Sequence, residues 1–164
     1  MKPEAIIYTS NTGFTRRYAV MLGEILDIPV YRIDDARPDR AMQVIHMGWL
    51  MAASVKDYHK AARRFDVQAV VGVGLCPTGE LLNEVRKTAR IPENVPLFTV
   101  QGGMDHAKLK GIYRFAINML VKMMTKKKDK TEGETEMLRM IIEGGDFVNP
   151  ANLSSVINWY NGIK

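Results

Sequence analysis

At 164 residues, 46% hydrophobic and 25% charged, the chain has the size of one domain and enough apolar residues to bury a core. Its formal charge of +5 is local: KMMTKKKDK, 122–130, holds five lysines and one aspartate, and without it 23 basic and 18 acidic residues fall to 18 and 17, which argues against a nucleic-acid-binding body. One cysteine excludes an internal disulfide, and three scattered histidines without a CxxC predict no metal. With no apolar run long enough to span a bilayer and no signal-like start, the expected location is cytoplasmic.

In chain order, EAIIY (4–8) reads as a strand. Phe14, Tyr18, Met21 or Leu22, and Ile25 recur at helical spacing and predict a helix over 13–26. PVYRI (29–33) is a second strand, and the polar DDARPDR (34–40) a loop with at most one helical turn. A third strand is predicted over 43–49 and a basic surface helix over 56–65. QAVVGVG (68–74) has the unbroken apolar character of a strand buried on both faces. A helix follows over 79–90, with Leu81, Leu82, Val85 and Ala89 on one side and Thr78 as its cap. PLFTVQ (96–101) is the fifth strand, and the last helix is predicted over 151–161 after Pro150.

Strands alternating with helices imply a parallel sheet covered on both sides and joined by right-handed crossovers. Five strands at this length suit the order 2-1-3-4-5, in which ligands bind beyond the carboxyl ends near the first and third strands. The loops to watch are therefore 9–15, 49–55, 74–79 and 101–106. The segment 102–147 does not belong to this pattern and reads as an insertion within a single domain, 1–164. Ten of the thirteen residues in 112–124 are apolar, and Lys110, Arg114, Asn118 and Lys122 leave only a narrow polar stripe. Such a helix is expected to be covered on most sides. The lysine run and its acidic sequel, 126–136, are expected to be mobile.

The loop SNTGFT, 10–15, falls between the first strand and the first helix. The first amides of a helix lack intrahelical acceptors and carry partial positive charge, so they attract an anion without a lysine. Ser10, Thr12 and Thr15 add hydroxyl donors, and Gly13 lets the backbone come close. The pattern is neither GxxxxGK[ST] nor GxGxxG, and a neutral cradle suits a monophosphate that is not hydrolysed. The same residue types are also ordinary helix caps.

SNTGFT matches the [ST]xTGxT phosphate loop, and in this position the chain resembles the flavodoxin family. GGMDHAKLKG (102–111) and GGDFVNPANL (144–153) are similar to a flavodoxin-domain subfamily that includes the menaquinone-dependent protoporphyrinogen oxidases. The resemblance covers nearly the whole chain. It implies an α/β, flavodoxin-like three-layer sandwich with an inserted apolar helical segment after the fifth strand, and non-covalent FMN. Ser10, Asn11, Thr12, Gly13, Phe14 and Thr15 would hold the phosphate. Trp49, Leu50 and Met51 would lie against one face of the isoalloxazine, and Leu75, Cys76 and Pro77 would form a second flavin loop lacking the usual aromatic. Gln101 and Gly102 would approach the ring or ribityl at the end of the fifth strand. Trp49 reads equally as cover for the sheet edge, Cys76 as an inert thiol, and Gln101 to Gly103 as turn residues. His106 beside Asp105 is the one histidine in reach of a proton-donor role, and Asp105 reads as a helix cap.

These readings give two functional expectations. One is an FMN-binding electron-transfer protein whose acidic partner is steered by the lysine patch. The other is an FMN-dependent oxidoreductase of the protoporphyrinogen-oxidase kind, with a quinone acceptor. Its residues 110–130 would lie peripherally on an anionic membrane. The apolar helix also reads as a homodimer interface. No residue stands out as a catalytic acid or base, and nucleic acid is not an expected partner. The lack of acidity implies a flavin potential less negative than that of low-potential flavodoxins.

Overall fold

A computed structural model describes residues 1–35 and 41–163. Its elements follow the two hydrophobic periods of the sequence. They are β1 (Ala5–Thr9), α1 (Phe14–Leu26), β2 (Val30–Arg32), β3 (Gln43–Met51), β4 (Ser54–Val55), α2 (Tyr58–Arg64), β5 (Asp66–Gly74), α3 (Leu82–Ala89) and β6 (Leu97–Gln101). Then come β7 (Gly103–Met104), a 3-10 turn (His106–Lys108), α4 (Gly111–Lys126), α5 (Glu132–Glu143), β8 (Gly145–Asp146), a second 3-10 turn (Pro150–Leu153) and α6 (Ser154–Asn161). Of the loop predicted over 34–40, residues 36–40 lie outside the described residues.

The architecture is α/β with a mostly parallel central sheet. β2, β1, β3, β5 and β6 lie side by side in that order, each pair parallel. The expected count of five strands needs correction. β4 adds a sixth, antiparallel to the end of β3 through Leu50↔Val55 and Met51↔Ser54. β7 and β8 form a separate antiparallel ribbon. The expected loop 49–55 is therefore a hairpin, turning through Ala52 and Ala53 at φ 47° and 59°. Two-residue turns with both φ positive normally announce themselves as Asn-Gly or Asp-Gly, and two alanines give no such signal.

Alternation along the strands sorts side chains between two helical layers. Ile6, Ile45, Met47, Val71 and Val73 pack with Tyr18 and Leu22 of α1 and Val156 and Tyr160 of α6. Ala5, Ile7 and Val44 meet Ala61 and Phe65, while Val70 and Leu97 meet Val85 and Ala89 of α3. Each large aliphatic buried this way contributes roughly 1.5–3 kcal/mol relative to exposure. Tyr18, fully buried, also ties the layers through its hydroxyl: it donates to Gln101 O and accepts from Asn149 N (3.2 Å) and Asn152 Nδ2 (2.7 Å).

The predicted helix over 79–90 is shorter than expected. Leu81 sits at φ 59° just before α3. Thr78 does not cap the helix; its Oγ1 accepts from Gln101 N (3.0 Å). Leu81 and Leu82 stay exposed, so only Val85 and Ala89 anchor α3.

The insertion leaves and returns at one point. β7 pairs with β8 through Gly103↔Asp146 and Met104↔Gly145, and Phe147 N donates to Gly102 O at 2.8 Å. Two expectations fail within it. α4 has no buried residue, so it is not covered on most sides. The stretch 126–136, expected to be mobile, runs into a capped helix: Thr131 Oγ1 accepts from Glu134 N (3.2 Å) and Glu134 Oε2 accepts from Thr131 N (3.0 Å). The charges of 126–136 obscured a T-x-G-E capping box.

Candidate functional site

Parallel pairing of β1, β3 and β5 brings their carboxyl ends together, with Thr9 opposite Gly48 and Trp49 opposite Val73. The loops after these strands therefore converge. They enclose a cavity of about 440 Å³, within the usual range for small-molecule sites. Ser10, Asn11, Thr12, Phe14 and Thr15 line one end; Trp49, Leu50 and Met51, with Leu75 and Cys76, line the sides. Tyr113, Ile117 and Leu120 of α4 and Met137 and Ile141 of α5 also wall it.

At the first end, Gly13 precedes α1 at φ 104°, a conformation that disfavours any residue with a Cβ. Ser10 Oγ accepts from Gly13 N at 3.2 Å, which leaves the Ser10 hydroxyl proton free to donate. Arg17 N closes the first helical bond onto Gly13 O. Among the described residues no acceptor takes the amides of Asn11, Thr12, Phe14, Thr15 or Arg16, and the side chains of Asn11, Thr12 and Thr15 make no hydrogen bond. Five amides and three polar side chains are thus uncommitted around one helix start, a geometry suited to an anion.

The remaining candidates divide. Trp49 stands edge-on to Tyr113, with centroids 5.0 Å apart at 87°, so it is held between the sheet end and α4. Cys76 is half-buried; burial, then the Glu80 charge, pushes its thiol pKa up, so it stays a protonated, weakly reactive thiol. Pro77, Gln101 and Gly102 do not line the cavity. Gln101 works from behind instead: its Nε2 donates to Leu75 O (3.0 Å) and its N to Thr78 Oγ1 (3.0 Å), fixing the 75–78 loop to β6. Gly102 N donates to Gly74 O at 2.7 Å, and Pro77 O accepts from Glu80 N at 3.2 Å.

Gly13 borders a second, open groove of about 860 Å³ on the other side of Phe14. Phe14 lines both spaces and lies so close to Gly103 that a Cβ there would come 2.6 Å from its ring. The groove holds Arg16, Arg17, His106 and Lys108 with Asp105, Glu143 and Asp146. Arg17 pairs with Asp146, which holds that carboxyl below its usual range. His106 therefore lies away from the apolar cavity, and Asp105 caps the 3-10 turn by accepting from Ala107 N at 3.1 Å.

The cavity lining contains no Asp, Glu, Lys, Arg or His. Among the described residues no three His, Cys, Asp or Glu side chains gather as a metal site. The sequence reading missed the walls supplied by Ala52, Ala53, Tyr113, Ile117, Leu120, Met137 and Ile141. Their one available signal was the spacing of Tyr113, Ile117 and Leu120 on a single helical face. No protein-family model and no curated protein matches the chain.

Proposed function

We propose that the chain binds FMN non-covalently and acts as a flavodoxin-like electron-transfer protein. One observation carries this reading: a helix start with uncommitted amides and hydroxyls opens into an uncharged, mostly apolar cavity at the carboxyl end of a parallel sheet. The amides of residues 11, 12 and 14–16 and the hydroxyls of Ser10, Thr12 and Thr15 hold the phosphate. Each such charge-assisted hydrogen bond contributes roughly 1.5–3 kcal/mol. Trp49, Met51, Leu75 and Cys76 enclose the ring and exclude water, while Gln101 keeps the Leu75 loop in place. When bound, FMN supplies the electron chemistry.

The cavity lining offers no histidine or carboxylate as a general acid or base, which favours a carrier over an enzyme that must move substrate protons. A second reading, an FMN-dependent oxidoreductase with a quinone acceptor, is favoured by the α4–α5 wall. A cavity walled in this way suits a small molecule better than direct contact with a protein redox centre. Faster reoxidation of the reduced holoprotein by a soluble quinone analogue than by a one-electron protein acceptor selects the second reading; the reverse order selects the first.

Quenching of flavin fluorescence tests the binding claim. FMN is expected to bind at least about tenfold tighter than riboflavin, which lacks the phosphate. Thr12→Val with Thr15→Val should erase that preference while leaving the melting temperature nearly unchanged, since neither hydroxyl bonds to protein. A folded protein that quenches no flavin in excess FMN overturns the proposal.

A further inference from the structure

α4 has two apolar faces. Tyr113, Ile117 and Leu120 look into the cavity. On the outer face Ile112, Phe115, Met119 and Met123 are 74%, 65%, 57% and 67% exposed, at spacings of three, four and four residues. They form one continuous ridge, roughly 16 Å long at 1.5 Å per residue. A contiguous exposed apolar surface on a helix marks an interaction site. Arg114, Asn118 and Lys122 border the ridge along one edge, and Lys110 and Lys126 stand at its ends. α4 contains no aspartate or glutamate. Among the described residues none of Lys110, Arg114, Lys122 and Lys126 enters an ion pair.

We propose that the outer face of α4 docks on an anionic lipid bilayer, with the Ile112–Met123 ridge in the acyl boundary and the neighbouring cations among the headgroups. Large apolar side chains flanked by unpaired lysine and arginine are the composition of a helix lying in a membrane interface. The charge pattern disfavours a second copy: antiparallel ridge-to-ridge pairing about a twofold axis brings basic edge against basic edge. The ridge is convex, so a fluid surface accepts it without a shape-matched groove. No described helix is long and apolar enough to cross a membrane, so the contact is peripheral. Because the opposite face of α4 walls the cavity, docking holds that cavity about one helix diameter, ~10 Å, from the lipid.

Co-sedimentation of the full chain with phosphatidylcholine vesicles, with and without phosphatidylserine, tests this. Binding is expected only to the anionic vesicles, and high salt should release it. Phe115→Ser with Met119→Ser, and separately Arg114→Glu with Lys122→Glu, should each weaken binding about tenfold or more. Circular dichroism and melting should stay unchanged, because these side chains are exposed. Three results overturn the proposal: no binding to either vesicle; full binding by the Phe115→Ser/Met119→Ser protein, which means adsorption by charge alone; or no vesicle binding combined with a concentration-dependent dimer that the same substitutions abolish, which assigns the face to a second copy. Salt-sensitive binding to polyglutamate without vesicle binding overturns it in favour of an acidic protein.

Discussion

His46 shows what a single side chain sets in this molecule. It lies fully buried in β3, where Nε2–H donates to Lys56 O at 2.9 Å and Nδ1 has no partner. Burial lowers its pKa from 6.5 to about 4, against smaller opposing effects from Lys56 O and the Asp57 charge. The folded state thus keeps the ring neutral where the unfolded chain takes up a proton. The stability due to neutral His46 is fully present above pH 6.5 and is lost as pH falls from there toward about 4. The expected slope is at most about 1.4 kcal/mol per pH unit. Urea unfolding across that window should show it, and His46→Gln should flatten it. An unchanged slope in that variant would place the acid sensitivity elsewhere. Tyr18 makes the complementary point: its helical spacing was visible, but not the three hydrogen bonds of its hydroxyl, which join residues far apart in sequence.

Among the elements, α1, β1 and β5 were legible because burial and local pattern agree. Tyr18 and Leu22 recur toward one layer, and QAVVGVG runs through the middle of the sheet. β4 was not legible. Its hairpin turns through two alanines in left-handed conformation, each costing on the order of 1–2 kcal/mol against a right-handed one. Replacing Ala52-Ala53 with Asn-Gly should relieve part of that strain and raise the thermal midpoint by several degrees. Calorimetry checks this, and a lower midpoint would mean that the alanine methyls contribute more to the cavity wall than the turn loses. α4 was recognised as a helix from its apolar run, but its packing was misjudged. A helix apolar on two faces looks like a core helix, and here one of those faces meets solvent.

Over the whole molecule, the insertion is separable from the layered core. None of the three buried clusters includes a residue between 105 and 144, and the β7–β8 ribbon already brings the two ends together. Replacing 105–144 with a two-residue turn should leave a protein that unfolds cooperatively with native circular dichroism. It should also open the cavity, so that iodide quenches Trp49 fluorescence more strongly than in the full chain, once the contribution of Trp159 is subtracted with a Trp49→Phe control. Loss of cooperative unfolding would show that the insertion supports the core. The sequence by itself determined the strand–helix alternation, the parallel sheet and the anion-seeking loop at 10–15, because each is written in neighbouring residues: a hydrophobic period, a glycine, a cluster of hydroxyls. Only the tertiary structure decided that α4 and α5 wall the cavity, that Gln101 braces it from behind and that Ile112 to Met123 face outward. A helix with two apolar faces carries no local mark of which one its neighbours will cover; that depends on where the chain returns.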